Sequence, residues 1–98
     1  MKILIEFTGV AKEITGGKEM VLSLKKKASY ADLVEKLGKL YPALIGIIIE
    51  SDGRSLLNAN FFSRAGEDVI FASQMEEPVR ADEKLILISI IVGGCKCL

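Results

Sequence analysis

The sequence predicts an α+β domain built as a small mixed sheet with a helix packed across one face. Three observations predict it. Ile3, Ile5 and Phe7 alternate with Leu4, Glu6 and Thr8 near the start of the chain. A helical stripe follows Ser29, and an apolar, β-branched run from Leu85 to Val92 lies near the end. Strands at both ends of a chain, separated by a crossover helix, can pair side by side in parallel. With 98 residues the chain suits one hydrophobic core, and no linker or internal repeat divides it.

Lys2 to Thr8 reads as a strand with one face committed to the core. Gly16-Gly17 marks a turn, and Lys18 to Lys25 alternates again with Met20, Leu22 and Leu24 together. A hairpin is the economical reading, its connection from Gly9 to Ile14 long enough for a short helical turn. Ser29, with Asp32 three positions later, has the spacing of a helix N-cap. Leu33, Leu37 and Leu40 then form the stripe, widened by Val34 and Tyr41, while Glu35, Lys36 and Lys39 take the outer face. Pro42 disfavours helical geometry at Tyr41 and predicts a stop or bend there.

Ala43 to Ile49 reads two ways: its four isoleucines suit a strand, and Pro42 suits the first turn of a second helix. Asp52-Gly53 and Ala65-Gly66 are turn signals, with apolar segments at Asn60 to Phe62 and Val69 to Phe71. Phe61, Phe62 and Phe71 are expected in the core, with one of them available to an exposed sheet face. Pro78 and Arg80 to Lys84 read as a loop. Leu85 to Val92 reads as a strand buried on both faces in the middle of the sheet. This layout is that of the ubiquitin-like β-grasp fold, expected over residues 1–92.

Composition narrows function. Thirteen basic residues balance thirteen acidic ones, so the surplus of Lys and Arg that binds nucleic acid is missing. Histidine is absent, which removes Ser-His and Cys-His dyads and imidazole metal ligands. The chain is expected to be a carrier or accessory subunit more than a catalyst on its own. Cys95 and Cys97 stand too close together to tie distant parts of a fold, and this usage fits a reducing compartment. Glu6 interrupts the first apolar run too early for a signal-peptide core, and Leu85 to Val92 is too short to span a bilayer. A soluble cytoplasmic protein without nucleic-acid or membrane partners is the expectation.

The most informative motif is Val92-Gly93-Gly94, followed by Cys95-Lys96-Cys97-Leu98. Residues 93–98 read as a flexible tail, four of them beyond the glycine pair. A rigid strand that runs into two residues without Cβ atoms makes a thin probe able to enter a narrow channel in another protein.

At these residues the chain resembles the ubiquitin-like sulfur carriers, the MoaD-type small subunit of molybdopterin synthase and the thiamine-pathway carrier ThiS. The resemblance also runs through Tyr41-Pro42, Asp52-Gly53, Asn60-Phe61, Gly66-Glu67-Asp68-Val69, Pro78 and Asp82. It implies that an E1-like enzyme uses ATP to adenylate the carboxylate of Gly94. Sulfur from a persulfide donor then displaces AMP and leaves a thiocarboxylate, which a molybdopterin synthase large subunit consumes. Gly94 and Gly93 are the implied reactive residues, and Ile91 and Val92 the implied partner-binding ones. No bound cofactor or metal is implied. Because Cys95 to Leu98 cover Gly94, a trimming peptidase is implied as well. A modifier that forms isopeptide bonds with lysines, and an interaction module that is never activated, are the alternatives.

Other patterns have structural readings. Gly16-Gly17-Lys18 is no phosphate loop, since Lys12 and Glu19 stand where glycine and Ser or Thr belong. Cys95 and Cys97 supply two thiols where structural zinc needs four ligands. Cys95 also stands four from the end, as in a prenylation box, but Lys96 is not aliphatic and no polybasic stretch precedes it. Lys25-Lys26-Lys27 reads as a solvated strand end able to steer an acidic partner. The neighbouring carboxylates Glu67-Asp68 and Glu76-Glu77 read as exposed loops.

Overall fold

A computed structural model describes residues 1–57, 60–64 and 67–89. The elements are β1 (Lys2–Phe7), α1 (Gly9–Thr15), β2 (Glu19–Ser23), α2 (Tyr30–Leu40), β3 (Asn60–Arg64), β4 (Asp68–Ile70) and β5 (Lys84–Ser89). The sheet order is β2-β1-β5-β3-β4. β1 and β5 run parallel, with Ile5 opposite Leu85 and Phe7 opposite Leu87, and the other pairs are antiparallel. The expected mixed sheet, with the last strand at its centre beside the first, is therefore present.

Period-two alternation decides the core face. Ile3, Ile5, Phe7, Leu22, Phe62, Ile70, Leu85 and Leu87 are all buried against one cluster. α2 contributes Tyr30, Leu33, Val34 and Leu37 to it, and α1 contributes Ala11. Each such leucine or isoleucine stabilises the fold by about 1.5–3 kcal/mol through removal from water. Leu40, expected in the stripe, is instead half-exposed at the end of α2. There Tyr41 takes the place over the sheet, meeting Phe7 edge-on with ring centroids 6.2 Å apart.

α2 starts where the cap spacing places it. Ser29 Oγ accepts from the Asp32 N–H at 3.1 Å, and Asp32 Oδ2 accepts from the Ser29 N–H at 2.9 Å. That backbone bond is the main cause holding the Asp32 carboxyl below the usual carboxylate range, helped by Arg54. Ser29→Ala is expected to cost about 1 kcal/mol, read as a lower urea midpoint at unchanged slope. A folded-state pKa below the unfolded one gives stability that is present above the ordinary carboxylate range. That stability fades as pH falls through the folded value. The gap between the native chain and Asp32→Asn should therefore close in acid.

The ambiguous isoleucine segment is neither a regular strand nor an α-helix. Pro42 opens a 3-10 turn over Pro42–Leu44, and the Leu44 carbonyl then accepts from the N–H groups of Ile47, Ile48 and Ile49. That tight winding sends Leu44, Ile48 and Ile49 into the core and leaves Ile45 and Ile47 exposed. Asp52-Gly53 is a turn as expected: Gly53 has φ +73°, and Asp52 Oδ1 accepts from the N–H groups of Arg54 and Ser55. Ala65 and Gly66 lie outside the described residues, between two strands that pair Arg64 with Asp68.

Two further expectations are corrected. β5 is buried on one face, by Leu85 and Leu87, while Ile86 and Ile88 are only half-buried. The described helices share a single buried cluster with one face of the sheet, so among the described residues the outer side chains of the central strand are covered by their strand neighbours. Phe71 is 64% exposed, because β4 ends at Ile70 and the chain winds into a short 3-10 turn at Ala72–Gln74.

Candidate functional site

The expected reactive residues Gly93 and Gly94, the expected docking residues Ile91 and Val92, and Cys95 to Leu98 lie outside the described residues. The structure does describe the strand that leads to them. β5 is flanked on both sides, by Leu4 to Phe7 of β1 and by Asn60 to Arg64 of β3. A strand paired on both edges is a stiff support for whatever follows it.

The start of β5 is held by a polar clasp that no sequence pattern announces. Tyr30 Oη donates to Glu83 Oε1 at 3.0 Å and accepts from Arg64 Nε at 3.2 Å. Arg64 Nε also lies 3.3 Å from Glu83 Oε2, and its Nη1 lies 3.0 Å from Asp68 Oδ2. The guanidinium carbon stands 5.7 Å from the centre of the Tyr30 ring. Burial, first of all, pushes the Tyr30 hydroxyl above its ordinary pKa. It therefore stays a neutral phenol able to donate at physiological pH. The clasp ties the first turn of α2, β3 and the approach to β5, and it needs residues distant in sequence. Only folding brings them together.

The outer face of the sheet is the second part of the site. The strand registers align Leu4 with Val21, Phe61 with Ile88, and Ser63 with both Ile86 and Val69 on that face. Val21 is 55% exposed, and Leu4, Phe61, Val69, Ile86 and Ile88 are half-buried. Glu6 and Lys84, 3.5 Å apart, sit among them as a solvent-screened pair. The apolar surface therefore runs across the sheet beside the strand that leads to the tail. Sequence alone placed docking near the last strand without showing which residues face outward. The missing signal was that none of the described helices packs on the outer face.

Arg54, which sequence reading passed over, links the 52–55 turn to α2. Its Nη1 lies 3.2 Å from Asp32 Oδ1 and 3.0 Å from Glu35 Oε1. Lys25, Lys26 and Lys27 are exposed, as expected of a solvated strand end, and Lys27 adopts φ +66°. Among the described residues no group of three or more His, Cys, Asp or Glu side chains could hold a metal ion. None of the described helices is long and apolar enough to cross a membrane.

The mixed five-stranded sheet with helices packed on one face defines the class: a ubiquitin-like β-grasp domain. No protein-family model matches the chain, and no curated protein matches it in sequence. Solved structures do match. SAMP1 from Haloferax volcanii superposes with a TM-score of 0.79 at 20% identity, over 96% of this chain and 100% of that one. A Pyrococcus furiosus protein with the provisional name of molybdopterin converting factor, subunit 1, gives 0.67 at 15% identity, over 92% and 99%. A chain of the BexX/CysO complex from Amycolatopsis orientalis gives 0.65 at 16% identity, over 94% and 99%.

Proposed function

We propose that the protein is a ubiquitin-like sulfur carrier whose Gly94, freed by removal of Cys95 to Leu98, is activated and converted to a thiocarboxylate. The observation that carries the reading is the central strand β5, paired on both edges and followed in sequence by Val92-Gly93-Gly94. A carboxylate becomes a good electrophile once AMP is its leaving group. A partner E1-like enzyme supplies this by letting the Gly94 carboxylate oxygen attack the α-phosphorus of ATP, with pyrophosphate departing. The terminal sulfur of a persulfide donor then attacks the acyl carbon and AMP leaves. A thiol next cleaves the resulting S–S bond, forming a disulfide with the donor and releasing the thiocarboxylate. The carrier needs no resident cofactor. ATP enters through its partner.

Within this class we assign the chain to the small subunit of a molybdopterin synthase, with the large subunit receiving the tail. The fold shared with the Pyrococcus furiosus protein supports this assignment, as does the outer apolar face beside β5. A second reading, attachment to other proteins through an isopeptide bond, is favoured by the fold shared with SAMP1, a small archaeal modifier protein by name. The intact mass of the protein from its own host separates the readings. Loss of the last four residues, with a population heavier by the difference between sulfur and oxygen, is the carrier's signature. Conjugates on substrate lysines indicate the modifier. Full-length protein alone would discard both and leave an interaction module.

A further inference from the structure

We infer that Thr8 and Gly9 are positioning residues that set the direction in which the chain leaves β5. They would thereby aim the glycyl end at its activating partner, an inference whose chemistry rests on the carrier reading above. Thr8 occupies the N-cap of α1, where a threonine hydroxyl ordinarily accepts a bond from the first turn of its own helix. Here it makes no such bond. Thr8 Oγ1 instead donates to the Leu87 carbonyl at 2.9 Å and accepts from the Ser89 N–H at 3.3 Å. The Thr8 N–H donates to the same Leu87 carbonyl at 3.2 Å. The polar capacity of a helix cap is thus turned onto Leu87 and Ser89 at the end of β5.

Gly9 closes the other side of the arrangement. Its φ is +56°, and an added Cβ would stand 2.4 Å from the Ser89 carbonyl oxygen, a backbone atom. Ordinary contact is about 3.5 Å, so any side chain here must push Ser89 away by about 1 Å. Ser89 is also paired with Asn60 of β3. Ser89 is therefore held between Asn60 of β3 and the start of α1, and its place there depends on the missing Cβ of Gly9. For a tip that must reach a reacting centre in another protein, a shift of about 1 Å can cost on the order of 100-fold in rate.

Gly16 supplies the control. It has φ +75°, and an added Cβ there would meet nothing within 4 Å. Gly16→Ala therefore carries the left-handed backbone strain without the collision. The test expresses full-length Gly9→Ala, Thr8→Val and Gly16→Ala chains in the native host. It reads the thiocarboxylate fraction of the folded protein by intact mass, and the amide exchange rate of Ser89. Gly16→Ala should match the parent in both. Gly9→Ala and Thr8→Val should exchange at Ser89 on the order of 10-fold faster and carry on the order of 10-fold less thiocarboxylate. Parent-like conversion in both variants, or unchanged exchange at Ser89, overturns the inference. Should Gly9→Ala fail to fold, Thr8→Val decides alone, since it only exchanges the hydroxyl for a methyl group of similar size. If the parent chain carries no thiocarboxylate, the carrier reading falls, and Ser89 exchange still judges the clamp.

Discussion

Gly94→Val, made in the full chain and expressed in the native host, should leave the melting temperature unchanged and reduce thiocarboxylate by on the order of 100-fold or more. The first half follows from position in the sequence: Gly94 comes after β5 and after every described residue of the buried cluster. The second half follows from the proposed chemistry. An acyl carbon with a branched side chain beside it cannot be presented in a channel shaped for glycine, and misplacement of a reacting atom is paid directly in rate. Intact mass separates two routes to the loss. A trimmed but unconverted chain places the requirement at activation, whereas an untrimmed chain places it at the peptidase. Normal conversion of the valine variant would remove Gly94 from the reactive role.

The second large effect is on stability. Phe62 is fully buried, paired with Leu87 on one side and Ile70 on the other. Phe62→Ala should cost about 3–5 kcal/mol, from lost transfer energy and the cavity left between β5 and β4. For a domain whose whole stability is about 5–15 kcal/mol, that loss brings the chain near unfolding at physiological temperature. Its sequence neighbour should behave differently. Phe61 faces the outer side opposite Ile88 and is only half-buried. Phe61→Ala is expected to cost well under half as much in urea denaturation. If the two costs were equal, the assignment of faces in β3 would be wrong.

These adjacent phenylalanines show where sequence reading stops. Both belong to an apolar segment expected in the core, and the sequence leaves open which phenylalanine takes an exposed sheet face. Which one enters it depends on register, and register is set by pairing with β5, a strand distant along the chain. The same limit explains β5 itself. Its nearly unbroken apolar run predicts burial on both faces, yet Ile86 and Ile88 look out on a side of the sheet where no described helix packs. Nothing local to Leu85 to Val92 says whether a helix lies over each side. The cap at Ser29 and Asp32, by contrast, was legible to the residue, because both partners lie within one turn.

The chain by itself determined the mixed sheet, the α2 start, the central place of the last strand and the diglycine motif. Each rests on short-range information: alternation, cap spacing, turn residues and the order of elements. Only the tertiary structure decided which apolar residues remain on the surface, and that Thr8 and Gly9 close upon Ser89. It also brought Tyr30, Arg64 and Glu83 into one clasp. Those features are contacts between residues far apart in the chain, and their energies depend on distances that no local pattern encodes.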